Sequence, residues 1–212
     1  MATIARPKIA RTPPPRPAPA DDFELRRFTV EEYHRLVEVG ILHSGDPYEL
    51  LDGWIVRKMP NNPPHVRTTV RISECIKSFV PETHILRIGF PITLEVSEPE
   101  PDVVVARGPH ELYDDRHPFP VEIELVVEVS DATLSRDKRL KLPLYAKSKL
   151  PVYWIVNIPE RQIEVYTDPR GGKAPTYRLR TDYGIDSSVP VIIAGETRGS
   201  IPVREILPKS QR

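Results

Sequence analysis

The spacing of apolar residues along the chain switches repeatedly between the near-four period of a helix and the two-residue period of a strand. Thr29 followed by Glu32 makes a capping box, and Val30, Tyr33, Leu36 and Val37 recur at helical spacing until Gly40 offers a stop. This predicts a short amphipathic helix. Tyr48 to Met59 reads as two strands joined by Asp52-Gly53, a pair suited to the positive φ angles of a two-residue turn, with Glu49 on the face of Leu51. Pro63 and Pro64 open a second helix through Phe79, with Val66, Val70, Ile76 and Phe79 as its predicted buried stripe and Arg67, Arg71, Glu74 and Lys77 facing water. Strands are expected at 84–89, 91–97 and 102–106. The turn-forming residues Gly108, Pro109, Asp114, Asp115, Pro118 and Pro120 then predict a loop over 107–120.

Val121 to Val129 alternates sharply, with Glu122, Glu124 and Glu128 on one face and Ile123, Leu125, Val127 and Val129 on the other. The basic stretch from Arg136 to Lys149 predicts a helix with Ser135 as cap and Leu140, Leu144 and Tyr145 as buried positions. Pro143 lies inside it and removes a backbone donor, so the helix either kinks or starts near that proline. Val152–Asn157 and Gln162–Thr167 read as a hairpin turning around Pro159 and Glu160, and weaker strands are expected near 176–181 and 189–193.

Composition adjusts this picture at the ends of the chain. The 212 residues suit one domain, and 39% hydrophobic with 28% charged residues is ordinary for a globular protein. Proline is the outlier at 25 residues. It clusters with Arg6, Lys8, Arg11 and Arg16 near the N-terminus, so residues 1–22 are expected to be an extended or disordered tail, 23–205 the domain and 206–212 a short tail. Zero formal net charge means that any binding to nucleic acid is local. Cys75, the single cysteine, has no partner for a disulfide and reads as a buried thiol. With neither a membrane-length apolar stretch nor a secretory apolar core, the expected location is cytoplasmic.

Two acids stand out against apolar strands. Asp102 follows Pro101 and opens the run Val103-Val104-Val105, and Glu128 closes another apolar strand before Ser130 and Asp131. Carboxylates carried to neighbouring positions of a sheet can bind a hard cation such as magnesium, which keeps waters that a phosphate can replace. The alternative is that strand ends are acidic for solubility.

The segments Tyr48-Glu49-Leu50-Leu51-Asp52-Gly53, Pro64-His65, Pro101-Asp102-Val103-Val104-Val105, Leu125-Val126-Val127-Glu128-Val129-Ser130, Arg136-Asp137 with Lys141-Leu142 and Tyr145-Ala146, and Leu150-Pro151-Val152-Tyr153-Trp154-Ile155-Val156 occur in one register. Together, over about residues 28–168, they resemble the Uma2 family of PD-(D/E)XK nuclease-like proteins. The resemblance implies an α/β (α+β) restriction-endonuclease-like fold, a mixed central sheet flanked by helices. It implies a Mg2+ or Mn2+ site at Asp102, Glu128 and the Val129 carbonyl, an accessory acid at Glu49, and a homodimer. In the parent pattern a lysine stands two residues after the second acid. Ser130 occupies that place here, and the resemblance assigns the ammonium to Lys141. Glu100 stands where relatives often carry glutamine.

The expected activity is endonucleolytic hydrolysis of phosphodiester bonds in nucleic acid, DNA first. His65, Arg136, Lys138 and Arg139 are candidate phosphate contacts. Plainer readings stand beside these: Glu49 as a buried acid paired to an arginine, Asp52 as a turn residue, His65 as a helix-start polar group, the basic run as a solvated face, and Tyr153 and Trp154 as core. Two other classes of function fit the same residues, a non-catalytic DNA-binding or regulatory module and a protein-interaction domain.

Overall fold

The computed structural model describes residues 25–43 and 45–208. The proline-rich segment 1–22 lies outside them. In chain order the elements are α1 (Val30–Glu38), the hairpin β1 (Tyr48–Leu51) and β2 (Trp54–Arg57), α2 (Pro63–Lys77), β3 (His84–Ile88), β4 (Val103–Arg107) and β5 (Ile123–Ser130). There follow α3 (Leu134–Arg136), a π-helical segment (Asp137–Lys141), α4 (Leu142–Lys147), β6 (Val152–Asn157), β7 (Gln162–Arg170), β8 (Thr176–Gly184), β9 (Ser188–Ile193), β10 (Glu196–Pro202) and α5 (Val203–Ile206).

β5 and β6 are buried at every position, the pattern of strands covered on both faces. They pair in parallel, and the other pairings of the six-stranded sheet β3-β4-β5-β6-β7-β8 are antiparallel. The two-residue period then sorts side chains between two cores. Val103, Val105, Leu125, Val127, Val129, Trp154 and Val156 pack with Ile72 and Ile76 of α2, the β9–β10 hairpin and α5. Val104, Ala106, Val126, Tyr153 and Ile155 pack on the other face with Leu51, Leu144, Tyr145 and Ala146. Trp154 and Tyr153 are therefore core.

Local chemistry accounts for the ends of the elements. Thr29 and Glu32 close the expected capping box on α1. Asp52 at φ 49° and Gly53 at φ 78° make the tight β1–β2 turn. Gly53 has a second constraint, since a Cβ there would lie 2.6 Å from Arg27 Cβ.

The structure departs from the sequence pattern in several places. α2 buries His65, Thr68, Ile72, Ser73 and Ile76, whereas Val66 and Val70 are about half exposed. Thr68 and Ser73 can be buried because their hydroxyls donate to carbonyls of their own helix, Pro64 O and Val70 O, each at 2.8 Å. The stretch 91–97 is no strand. Ile92 and Leu94 are buried, but the amides of Ile92, Thr93 and Leu94 donate to the loop carbonyls of Pro99, Pro118 and Ser97. A register shift between Val105 and Ala106 makes Val105 face Leu125 and Ala106 face Ile123. This bulge turns Ile123 into the second core and leaves Glu124 buried near Arg107, with Glu122 paired to Arg116. Neither acid is therefore a solvated strand-face residue. Leu140 is exposed, and β10 had no counterpart in the sequence pattern. Ile206 and Leu207 are buried in the first core, so ending the domain at 205 leaves out two residues that pack in it. Cys75 is half-buried, and burial pushes its thiol up.

Candidate metal and phosphate site

The end of the sheet where β4 begins holds an open cleft, lined among others by Glu49, Lys58, His65, Glu100, Asp102, Glu128, Val129, Arg136, Asp137 and Lys141. Asp102 precedes the first paired residue of β4, Val103, which faces Val127. Continued two residues beyond the paired stretch, that register would set Pro101 opposite Val129. Having no N–H, Pro101 has nothing to donate to the Val129 carbonyl. The Val129 N–H is taken instead by Asp102 Oδ2 at 2.7 Å. His65 Nε2, in the first turn of α2, lies 3.2 Å from that same oxygen.

Glu128 shares the face of Val126 and so points toward the helical layer that holds Lys141 and Tyr145. Lys141 Nζ donates to Glu128 Oε1 at 2.8 Å and lies 3.5 Å from Glu49 Oε2. Tyr145 Oη donates to the same Oε1 at 2.7 Å. Hydrogen bonds to the two carboxylates thus fall on Asp102 Oδ2 and Glu128 Oε1, and leave Asp102 Oδ1 and Glu128 Oε2 without a donor among the described residues.

The π-helical segment delivers the lysine. Leu142 N–H bonds back to Asp137 O, the wide turn of a π-helix, and Pro143 follows just where α4 starts, so its missing donor does not break the path to Lys141. Asp137 is buried and accepts from Ser130 Oγ at 2.6 Å and Thr133 Oγ1 at 2.7 Å. Ser130, standing where the parent pattern has lysine, therefore fastens the segment that brings Lys141 in.

Electrostatics follow from burial. Burial pushes the Glu128 carboxyl well above the usual range; Lys141 opposes this, and the charges of Asp137 and Asp102 add to it. Burial alone lowers Lys141, but Glu128, Glu49 and Asp137 outweigh it and raise its pKa. His65 is disfavoured as a cation by burial, yet the hydrogen bond and charge of Asp102, with Asp137 and Asp131, raise its pKa. Lys58 Nζ sits 2.5 Å from Glu100 Oε2, which neutralises the acid at the cleft mouth.

Of the residues singled out by sequence, Glu49, His65, Asp102, Glu128, Val129, Arg136 and Lys141 line one cleft. Glu49 is buried and its nearest cation is Lys141, so the partner is a lysine and not an arginine. Two are not brought there. Lys138 Nζ is held 2.7 Å from Glu164 Oε1, and Arg139 lines a separate groove with Trp54 and Leu144. Tyr145 and Asp137 were missed as site residues. The signal available was their spacing, four residues either side of Lys141.

Among the described residues no set of three or more histidine, cysteine or acidic side chains converges closely enough to hold an ion. Asp102, Glu128 and the Val129 carbonyl would supply a donor set of another kind, two carboxylate oxygens and a backbone carbonyl, all hard ligands. That fits magnesium or manganese, which retain waters.

A mixed six-stranded sheet with helices on both faces and paired acids at one strand end is a restriction-endonuclease-like fold. It matches a solved structure described as a "putative nuclease belonging to DUF820" from Anabaena variabilis, with a TM-score of 0.63, 16% identity, and coverage of 81% of this chain and 96% of that one. At that identity the likeness speaks for the fold alone. The Uma2 family, described as "Putative restriction endonuclease", matches residues 30–191, and the chain belongs to it. No curated protein matches the chain.

Proposed function

We propose that the protein is a metal-dependent endonuclease that hydrolyses phosphodiester bonds in nucleic acid, DNA first. The observation that carries this is the pair of free oxygens, Asp102 Oδ1 and Glu128 Oε2, in one cleft with Val129. These three would hold Mg2+ or Mn2+. Such an ion, when bound, polarises a phosphoryl oxygen and lowers the pKa of a bound water. The family description and the description of the solved relative point to the same chemistry.

The chain's own side chains have definable parts in this reading. Lys141, as an ammonium fixed between Glu128 and Glu49, orients the attacking water and offsets charge on the phosphate. Tyr145 fixes the rotamer of Glu128 so that its second oxygen faces the cleft. Arg136 and His65 line the approach and favour an anion. A homodimer, with two clefts for two strands, and a cytoplasmic setting belong to the same proposal. No helix among the described residues is long and apolar enough to cross a membrane.

The test is incubation of purified protein with plasmid in Mg2+, Mn2+ or EDTA. Cutting is expected with either metal, none in EDTA, and a fall of at least about a hundredfold in Asp102→Asn, in keeping with loss of one charged ligand. Metal-independent cutting, or undiminished cutting by Asp102→Asn, defeats the assignment. Salt-sensitive binding without cutting under any metal would mark a non-catalytic module.

A further inference from the structure

Beside the cleft, three aromatic rings and two guanidinium groups alternate. Arg87 lies 5.3 Å from the ring centres of both Phe90 and Tyr113, and Arg116 lies 5.3 Å from Tyr113 and 5.0 Å from Phe119. The order is Phe90, Arg87, Tyr113, Arg116, Phe119. The terminal rings are open to solvent, Phe90 at 56% and Phe119 at 43% exposure, so their surfaces are available for stacking. The two arginines differ in a way that matters. Arg116 is held by both oxygens of Glu122, at 2.6 and 2.7 Å. Arg87 has no carboxylate within salt-bridge distance among the described residues, and its buried Nε has no hydrogen-bond partner.

The position connects this ladder to the site. Gly89 N–H donates to the Asp102 carbonyl at 3.0 Å, so Phe90 begins one residue from the strand end that carries Asp102. Thr93 N–H donates to Pro118 O at 3.0 Å, which ties the Phe119 loop to the segment after Phe90. Arg87 and Tyr113 lie on the sheet face of Ile85, Val104 and Ala106.

We propose that this ladder is a stacking platform for unpaired nucleotides next to the cleft, with Phe90 taking a base and Arg87 a backbone phosphate. The proposal rests on the nuclease reading and specifies its substrate: nucleic acid with a single-stranded segment flanking the bond to be cut. Exposed aromatic faces accept any base, and a fixed guanidinium without an acid partner accepts a phosphate; together they make up the usual means of holding a single strand. A second copy of this chain covering the exposed rings is the competing occupant, and sedimentation distinguishes it.

The experiment measures binding of labelled oligothymidylate and of a blunt duplex of equal length, by anisotropy in EDTA so that nothing is cut. Phe90→Ala is expected to weaken single-strand binding by about five- to a hundredfold, leaving duplex binding unchanged, and Phe90→Trp to retain it. Arg87→Gln should lower the slope of log affinity against log salt by about 0.7, one phosphate contact on a single strand. Equal single-strand affinity in wild type and Phe90→Ala, or no single-strand binding by wild type, overturns the proposal. So does a loss that accompanies conversion of a dimer to a monomer in sedimentation. If wild type cuts no plasmid but Phe90→Ala still loses single-strand binding, the nuclease reading fails and the platform stands.

Discussion

Lys141 sits between two buried carboxylates, and its removal leaves both Glu49 and Glu128 without a cation. Breaking a buried pair from one side costs about 3–5 kcal/mol, because the abandoned charge keeps its desolvation penalty. Lys141→Met is therefore expected to lower the urea-unfolding free energy by that amount, and Lys141→Met with Glu128→Gln by clearly less than the sum of the single changes. Strict additivity in that double-mutant cycle would show that the two side chains do not interact. At this scale the meeting of Asp102 and Glu128 in one cleft was legible, because an acid that begins or ends an all-apolar strand is conspicuous. Tyr145 was not. In a run with Leu144 and Ala146 it reads as core, and only the fold reveals that its hydroxyl reaches an acid on β5. Arg139 and Lys138 misled for the opposite reason, since a basic run does not say which way each residue faces on a helix that changes its pitch.

The elements built from local signals came through: the α1 capping box, the Asp52-Gly53 turn and the β6–β7 hairpin. Those set by long-range packing did not. The face of α2 was misread because its buried side carries Thr68 and Ser73 in place of aliphatic residues, and β10 (Glu196–Pro202) was missed because its buried side chain, Ile201, stands nearly alone. What fixes β10 is a close approach. A Cβ at Gly199 would lie 2.3 Å from the Phe79 ring just past α2, at a shift in the β9–β10 register. Gly199→Ala must push that ring or the hairpin aside, and a loss of about 1–3 kcal/mol is expected in thermal or urea melts. An unchanged midpoint would mean that the hairpin yields freely.

Across the whole molecule, buried acids link the layers. Glu164 on β7 has an Asn157 amide at 2.8 Å, Lys138 of the π-helical segment at 2.7 Å and the Tyr166 hydroxyl at 2.6 Å. Burial raises its pKa, but these partners outweigh burial and hold it below the usual carboxylate value. A depressed folded-state pKa contributes stability above the unfolded-state value, and the contribution is lost as pH falls through the folded value. Wild type should therefore lose stability below about pH 4.5 more steeply than Glu164→Gln. Parallel curves of unfolding free energy against pH would exclude Glu164 as a source of acid sensitivity. Zero formal net charge is consistent with this internal pairing, and under the proposed function would leave recognition of a polyanion to a few local cations such as Arg136 and Arg87.

What Pro101 contributes to the cleft is the lack of one hydrogen atom. Alanine there would supply an amide able to engage the Val129 oxygen, and calorimetry should find manganese held about ten- to a hundredfold more weakly, as when outer ligand partners are altered. Semisynthesis offers a sharper contrast: an α-hydroxy acid at position 101, which makes an ester and abolishes the donor without a ring, should preserve the affinity that alanine loses.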